Sequence, residues 1–402
     1  MNKLIKSSIN NIFITAGLLL CLASEGFSQK GLPAELPTVA TVNTYFPQHE
    51  DFNPSLVGRL KVPSGFTVKT VATGLGKPRM MAAGEKGMLY VTRRDQGDVL
   101  LLSDKNGDGI FDDMKTIVAH FSGVHGITIH DGWLYLVSNR ELKRSKIKPD
   151  GTVDSLEVLI KDLPDGGQHP NRTLAFGPDG LLYITVGSTC NDCADANAEN
   201  ATILQVTPDG INRKIFARGL RNTIGIDWNP QTKELWGADN GTDWRGNDIP
   251  HEEINKITEG SDYGWPLVYE NQKIDETRED PIGSTKAAYA KTTQPSVLLL
   301  PAHSAPINFI FINKMSNLPG TYSNDALISL HGSWNRDKPD GYKIVRVKFT
   351  NGQPTGTDDF LTGFLSSDGK TRFGRPAGLL VSPNGIYVSD DESGVIYLVA
   401  VK

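Results

Sequence analysis

The chain carries imidazoles and guanidinium groups at recurring places beside a repeated phrase. His169 and Arg172 stand three residues apart in Gly167-Gln168-His169-Pro170-Asn171-Arg172. Comparable places elsewhere hold His125, Arg221-Asn222, Asn240-Gly241-Thr242, His331 with Ser333-Trp334-Asn335-Arg336, and Gly374-Arg375-Pro376. A neutral imidazole can take up a proton near working pH. Arginine recognises planar acid groups through its fork of N–H donors, and an indole offers a face for stacking. Converging on one pocket, these residues would present several cations, two or three imidazoles and little carboxylate. That suits a small, planar polyanion. Taken singly, each Arg could pair with a nearby Asp and each His could cap a turn. It is their equivalent placement in successive loops that points to a site.

The elements that must position them follow from the repeat. A turn, then Leu or Ile with Tyr or Trp, then a small or polar tail, appears as Gly87-Met88-Leu89-Tyr90-Val91-Thr92, Gly132-Trp133-Leu134-Tyr135-Leu136-Val137 and Gly180-Leu181-Leu182-Tyr183-Ile184-Thr185. It returns more loosely as Glu234-Leu235-Trp236-Gly237-Ala238-Asp239, Ala326-Leu327-Ile328-Ser329-Leu330-His331 and Gly385-Ile386-Tyr387-Val388-Ser389-Asp390. With Leu89, Leu134, Leu182, Leu235, Ile328 and Tyr387 as markers, the spacings are 45, 48, 53, 93 and 59 residues. No stretch keeps a helical apolar period. A period of about 40–50 residues built of short strands is the mark of propeller blades. The expectation is an all-β, six-bladed β-propeller over residues 61–402, with a long insertion near 267–305 between the fourth and fifth copies. Phe66–Val71 is expected to pair with Gly394–Val399 and close the ring. Loops at one face would then line a central pocket.

The composition is that of an ordinary globular protein, with 22% charged and 38% hydrophobic residues and a net charge of −5. No basic stripe points to nucleic acid and no polybasic run to an anionic membrane. Lys3 and Lys6, then the apolar run Ile12–Ala23, read as a signal peptide cleaved after Ser28, too short to span a bilayer. Cys21 is the alternative, a lipid-attachment cysteine. Either way the chain is expected to be exported, periplasmic or secreted, with no integral membrane segment after processing. Residues 29–60 are Pro-rich and read as an arm. Cys190 and Cys193 are then the remaining cysteines. In an oxidising compartment they are most simply a disulfide stapling a loop, a redox motif or half a zinc site being the other readings. Asp104–Asp112 matches much of a calcium loop but has Lys115 where the bidentate Glu belongs. A polar turn serves as well.

These residues resemble a family, the soluble calcium- and pyrroloquinoline quinone (PQQ)-dependent sugar dehydrogenases with six-bladed propellers, nearest their L-sorbosone dehydrogenase-like branch. The resemblance runs from about Val62 to Val399. It rests on Gln168-His169-Pro170-Asn171-Arg172, Arg218-Gly219-Leu220-Arg221-Asn222, Glu253-Ile254-Asn255, Asp262-Tyr263-Gly264-Trp265-Pro266, Pro301-Ala302-His303-Ser304-Ala305-Pro306, His331-Gly332-Ser333-Trp334-Asn335-Arg336 and Gly374-Arg375-Pro376. It implies that His169 is the general base and that Arg221 and Asn222 contact the quinone. It also implies that Arg375 holds a cofactor carboxylate and that the backbone carbonyls of Gly241 and Thr242 hold calcium. His125, Arg172, Trp334 and Arg336 complete the expected cofactor shell. The implied reaction oxidises an aldose or sugar aldehyde, moving a hydride to the quinone and a proton to the base. The electron acceptor is left open. A calcium-dependent lactonase on the same fold, or a propeller that binds a glycan or protein without catalysis, are the competing readings.

Overall fold

The structure, a computed structural model, describes residues 44–402. The signal-peptide reading of residues 1–28, Cys21 within it and the start of the arm lie outside the described residues. Six four-stranded antiparallel sheets follow one another along the chain. Blade one is Met81–Ala83, Leu89–Arg93, Asp98–Ser103 and Asp113–Val118. Blade two is Gly126–His130, Trp133–Val137, Leu142–Lys146 and Glu157–Ile160. Blade three is Leu174–Phe176, Leu182–Val186, Thr202–Val206 and Arg213–Arg218. Blade four is Thr223–Trp228, Leu235–Asp239, Glu252–Ile257 and Leu298–Leu300. Blade five is Pro306–Phe311, Ala326–Leu330, Lys343–Thr350 and Gln353–Leu361. Blade six is Pro376–Ser382, Gly385–Asp390 and Val395–Val401, completed by Phe66–Ala72 from the other end of the chain. That last pairing, Phe66 opposite Val401 and Thr70 opposite Tyr397, closes the ring as expected.

The repeated phrase is the second strand of every blade, and its composition now has a cause. Its aliphatic residues are buried on both faces, against the flanking strands and the neighbouring blades. In blades one and two its tyrosine reaches the next blade. The Tyr90 hydroxyl donates to the Gly151 carbonyl (2.8 Å), and that of Tyr135 to the Pro208 carbonyl (3.3 Å). A buried tyrosine keeps such a partner because an unpaired hydroxyl is costly. The first strands of the blades surround the axis and touch one another. At Gly225 the approach is so close that a Cβ would sit 2.4 Å from the Phe309 nitrogen. Only glycine lets the inner strands of blades four and five meet there.

The insertion lies inside blade four, not after it. It leaves after Ile257, forms the small pair Val268–Tyr269 and Lys273–Ile274 and the helix Lys286–Ala290, and returns as the outer strand Leu298–Leu300. The described part of the arm packs on the propeller. Gln48–His49 runs parallel to Thr371–Arg372, and Leu56 joins the core of Phe360, Phe373 and Tyr397. Among the described residues no helix is long and apolar enough to cross a membrane.

Candidate functional site

The loops entering the inner strands are held by the polar tails of the second strands. In blade four Asp239 ends the second strand. Its carboxylate accepts the backbone N–H of Arg221 (3.1 Å), the N–H of Asn222 (2.9 Å) and the Thr223 hydroxyl (2.6 Å). In blade six Asp390 does the same for the Arg375 N–H (2.9 Å). Burial pushes both carboxyls up to about 6, against the pull of these donors. One device thus delivers both arginines to the same end of the axis.

His169 reaches that end from blade three. Its Nδ1 lies 2.9 Å from the Ser188 carbonyl and 2.8 Å from the Ser188 hydroxyl, which itself donates to the Cys190 carbonyl (2.8 Å). A carbonyl can only accept, so Nδ1 carries the proton and Nε2 the lone pair. Nε2 has no hydrogen-bond partner among the described residues, and the ring lines the cavity. Burial first, then the charges of Arg221 and Arg172, push the imidazole down to about 3. The shift favours the neutral imidazole across the physiological range. Gly187 permits its position, since a Cβ there would lie 2.6 Å from the His169 Cβ and 3.0 Å from the Asn222 Oδ1.

Two adjoining cavities of about 650 and 370 Å³ share Gln168, Asn222, Asn240, Ala305 and Trp334 in their walls. The larger is lined by Lys77, Arg79, Arg94 and Arg375, with His331. The smaller holds His169, Arg221 and Gly241. Trp334 stands half-exposed at the mouth, edge-on to Trp244 with ring centres 5.0 Å apart. The expectation of little carboxylate is corrected, because Asp95, Asp243, Glu252, Asp391 and Glu392 also line the walls. Most are neutralised in place. Asp391 sits between Arg79 (2.5 Å) and His331 (2.8 Å), and these two hold it far below the usual carboxylate range despite burial. Glu252 is the exception. Its oxygens accept the N–H groups of Gly241 (2.7 Å) and Ala305 (3.0 Å), and burial pushes it up to about 8.

The structure brings His169, Arg221, Asn222, Gly241, Trp334 and Arg375 together, with Thr242 buried beside Gly241. It does not bring the other three to the cavity surface. His125 is fully enclosed, with Nδ1 2.8 Å from the Arg172 carbonyl and Nε2 3.4 Å from Arg79. Arg172 is also fully enclosed and donates to the carbonyls of His169 (2.9 Å) and Pro164 (3.0 Å), so it shapes the His169 loop from behind. Arg336 turns outward to Asp248 (3.0 Å) and the Ala302 carbonyl (3.0 Å). Sequence reasoning missed Asn191, Asp243, Trp244, Glu252 and Asp391. Asn191 was visible between the two cysteines, and Glu252 directly precedes Glu253-Ile254-Asn255. Asp391 follows the tail of the sixth phrase.

Cys190 and Cys193 form a disulfide. In the Asp104–Asp112 loop the side chains bind their own backbone. Asp104 accepts the N–H groups of Gly107 and Gly109 (both 2.7 Å), and Asp108 accepts that of Ile110 (2.8 Å), an arrangement complete as a polar turn.

Residues 60–402 match the family model described as TrAA12-like. The chain is 30% identical to an uncharacterized protein of Borreliella burgdorferi, over 86% of this chain and 91% of that one. It is 25% identical to a pyrroloquinoline quinone-dependent pyranose dehydrogenase of Coprinopsis cinerea, over 85% of this chain and 54% of that one, so it spans about half the length of that relative. Among solved structures, the holo form of the pyranose dehydrogenase PQQ domain from Coprinopsis cinerea superposes with a TM-score of 0.72 at 23% identity, over 85% of this chain and 97% of that one. This last likeness is one of fold.

Proposed function

From a chain that belongs to the TrAA12-like family of PQQ-dependent sugar dehydrogenases, we propose an exported quinoprotein that oxidises an aldose or sugar aldehyde of the glucose or sorbosone class. His169 is its general base, and PQQ with calcium its cofactors. The observation that carries the reading is the conjunction of a neutral imidazole, its Nε2 open to the cavity, with arginines held at the same wall.

The residues present fit the cofactor. Asn222 Oδ1 is buried in the shared wall without a hydrogen-bond partner, a polar atom that a ligand would satisfy. Arg375, which pairs with no carboxylate among the described residues, supplies a cationic donor for the acid groups of a polyanion, beside Lys77, Arg79 and Arg94 in their pairs with Asp95 and Asp391. For calcium the donor set is hard oxygen. The Gly241 and Thr242 carbonyls accept no hydrogen bond among the described residues, and the Glu252 carboxylate stands against the Gly241 amide. When bound, the quinone supplies the acceptor for the hydride, and calcium supplies the Lewis acid that polarises it.

The chain does the rest. His169 Nε2 takes the proton from the sugar hydroxyl, and the Ser188 carbonyl stabilises the imidazolium through Nδ1–H. Arg221 brings a permanent positive charge to the wall where negative charge develops. Trp334 and Trp244 offer apolar faces to a pyranose ring and exclude water at the mouth. The Cys190–Cys193 disulfide is in keeping with an oxidising compartment, and the propeller is proposed as residues 61–402 behind the signal peptide and arm.

The test is reconstitution of the purified protein with PQQ and calcium, followed by dye reduction across a panel of aldoses and sorbosone. PQQ- and calcium-dependent turnover is expected. A protein that binds no PQQ, with or without calcium, overturns the reading.

A further inference from the structure

The Cys-Asn-Asp-Cys loop lies beside the site, and its contacts run to both of the site's central side chains. Asn191, inside the disulfide ring, accepts from Arg221 twice, with its carbonyl from Nε (2.9 Å) and with Oδ1 from an Nη (2.8 Å). The same Oδ1 accepts the backbone N–H of Asp243 (2.8 Å), and Asn191 Nδ2 donates to the Asp243 carbonyl (3.2 Å). Asp243 in turn pairs with Arg221 (3.1 Å). On the other side, the Cys190 carbonyl accepts the Ser188 hydroxyl that contacts His169 Nδ1. A guanidinium on a long chain has many rotamers, and fixing one takes directed acceptors. Here two of its acceptors belong to one residue whose backbone is tied by a disulfide.

We infer that the disulfide loop is a clamp, with Asn191 as a positioning residue that sets Arg221 against His169. The loop is small, so its effect on global stability through chain entropy is modest. Its effect falls on the geometry of the site. Asn191, which orients the cation, sits in the ring, and Ser188, which orients the base, is bound to it through the Cys190 carbonyl, so opening the ring loosens both together. The inference rests on the proposed quinoprotein reading for its catalytic consequence, but the clamp itself exists in the protein without cofactor.

The experiment uses the full exported chain and the variants Asn191→Ala, Cys190→Ser/Cys193→Ser, Arg221→Ala and Asn191→Ala/Arg221→Ala. In the apoprotein, hydrogen exchange at the Asp243 amide should speed by about 10-fold in the first two variants. In the holoprotein both should weaken PQQ binding, read by titration, and lower kcat by on the order of 10–100-fold, the scale of a misplaced group. Asn191→Ala should add almost nothing to Arg221→Ala, because both remove the same arrangement. If the serine pair fails to fold, reduction of the wild-type disulfide by a dithiol replaces it. Unchanged Asp243 exchange, or an Asn191→Ala effect fully additive to Arg221→Ala, overturns the clamp. A wild-type protein that shows clamped Asp243 exchange yet binds no PQQ overturns the functional reading instead and leaves the clamp standing.

Discussion

Nδ1 of His169 lies 2.9 Å from the carbonyl oxygen of Ser188, a contact that fixes which ring nitrogen is basic. The donor is set by a backbone carbonyl, so the tautomer does not depend on the Ser188 side chain. Ser188→Ala leaves that carbonyl contact and removes the Oγ contacts to His169 Nδ1 and to the Cys190 carbonyl. It is expected to cost a few-fold in kcat, whereas His169→Ala should lose on the order of 10²–10⁴, the usual contribution of a positioned acid–base group. PQQ titration should show cofactor binding intact in both. Arg221→Ala should lose affinity and turnover together. If His169→Ala turns over sugar at the wild-type rate, the base lies elsewhere.

The depressed imidazole makes a statement about pH. His169 is pushed down to about 3 by burial first and by the Arg221 and Arg172 charges next. A base whose pKa is lowered keeps its lone pair until the pH falls through the lowered value, not through 6.5. The acid limb of kcat/KM should therefore lie well below the ordinary imidazole range, with activity roughly flat from about pH 5 to 8 so far as the base controls it. Arg221→Ala removes one of the charges, so the acid limb of its residual activity should move up. An acid limb near 6.5 in the wild type, unmoved by Arg221→Ala, would show that His169 is not the titrating base.

What could be read from the sequence was what repeats. The six second strands announced themselves because each must be apolar on both faces, and in the first two an aromatic residue bridges to the next blade, as Tyr90 and Tyr135 do. Phe66–Val71 was legible as the closing strand because a ring of blades needs a strand from one end of the chain to complete the blade at the other, and the observed strand is Phe66–Ala72. The outer strand of blade four was not. Leu298–Leu300 is three residues long, follows the insertion and carries no marker, so the insertion was set between blades. In the site, spacing placed His125, Arg172 and Arg336 in the right loops but could not give their depth. Arg172 faces the carbonyls behind the His169 loop, and Arg336 finds Asp248, far away in sequence. Asp391 and Glu252 escaped notice because their partners are distant in sequence, Arg79 for Asp391 and the Gly241 and Ala305 N–H groups for Glu252.

Calcium can be separated from side-chain chemistry at Thr242. If the cation rests on backbone carbonyls, Thr242→Ala should leave calcium-dependent activity nearly intact. Glu252 is different. Its buried carboxyl is pushed up to about 8 because two N–H donors do not offset its desolvation. A nearby cation would stabilise its charged form. Glu252→Gln is expected to raise the calcium concentration needed for half-maximal reconstitution by roughly 10-fold or more, about one pKa unit of lost charge interaction. Complete loss of calcium-dependent activity in Thr242→Ala, with the fold retained, would count against the carbonyl assignment.

Gly187 touches no ligand in the proposed reaction, yet it should be among the least replaceable residues of the site. It directly follows the second strand of blade three, between His169 on one side and Asn222 on the other. A methyl group there would meet the His169 Cβ at 2.6 Å and the Asn222 Oδ1 at 3.0 Å. Neither neighbour can yield freely. His169 is tethered by Nδ1 to Ser188, and the Asn222 backbone N–H is bound by Asp239. The cheaper adjustment is for the imidazole to move away from the wall, which carries Nε2 off the position where it meets the sugar hydroxyl. A displacement of about 1 Å in a positioned catalytic group costs on the order of 10² in rate. Gly187→Ala should therefore lose about 10²-fold in kcat, with a smaller rise in the Kd for PQQ through Asn222. The propeller should survive, since the strand itself remains paired from Leu182 to Val186. Circular dichroism and thermal unfolding would check the fold, and PQQ titration beside steady-state kinetics would separate binding from turnover. Wild-type kcat in a folded Gly187→Ala protein would mean that His169 can leave this position without loss, and its assignment as the base would fall with that result.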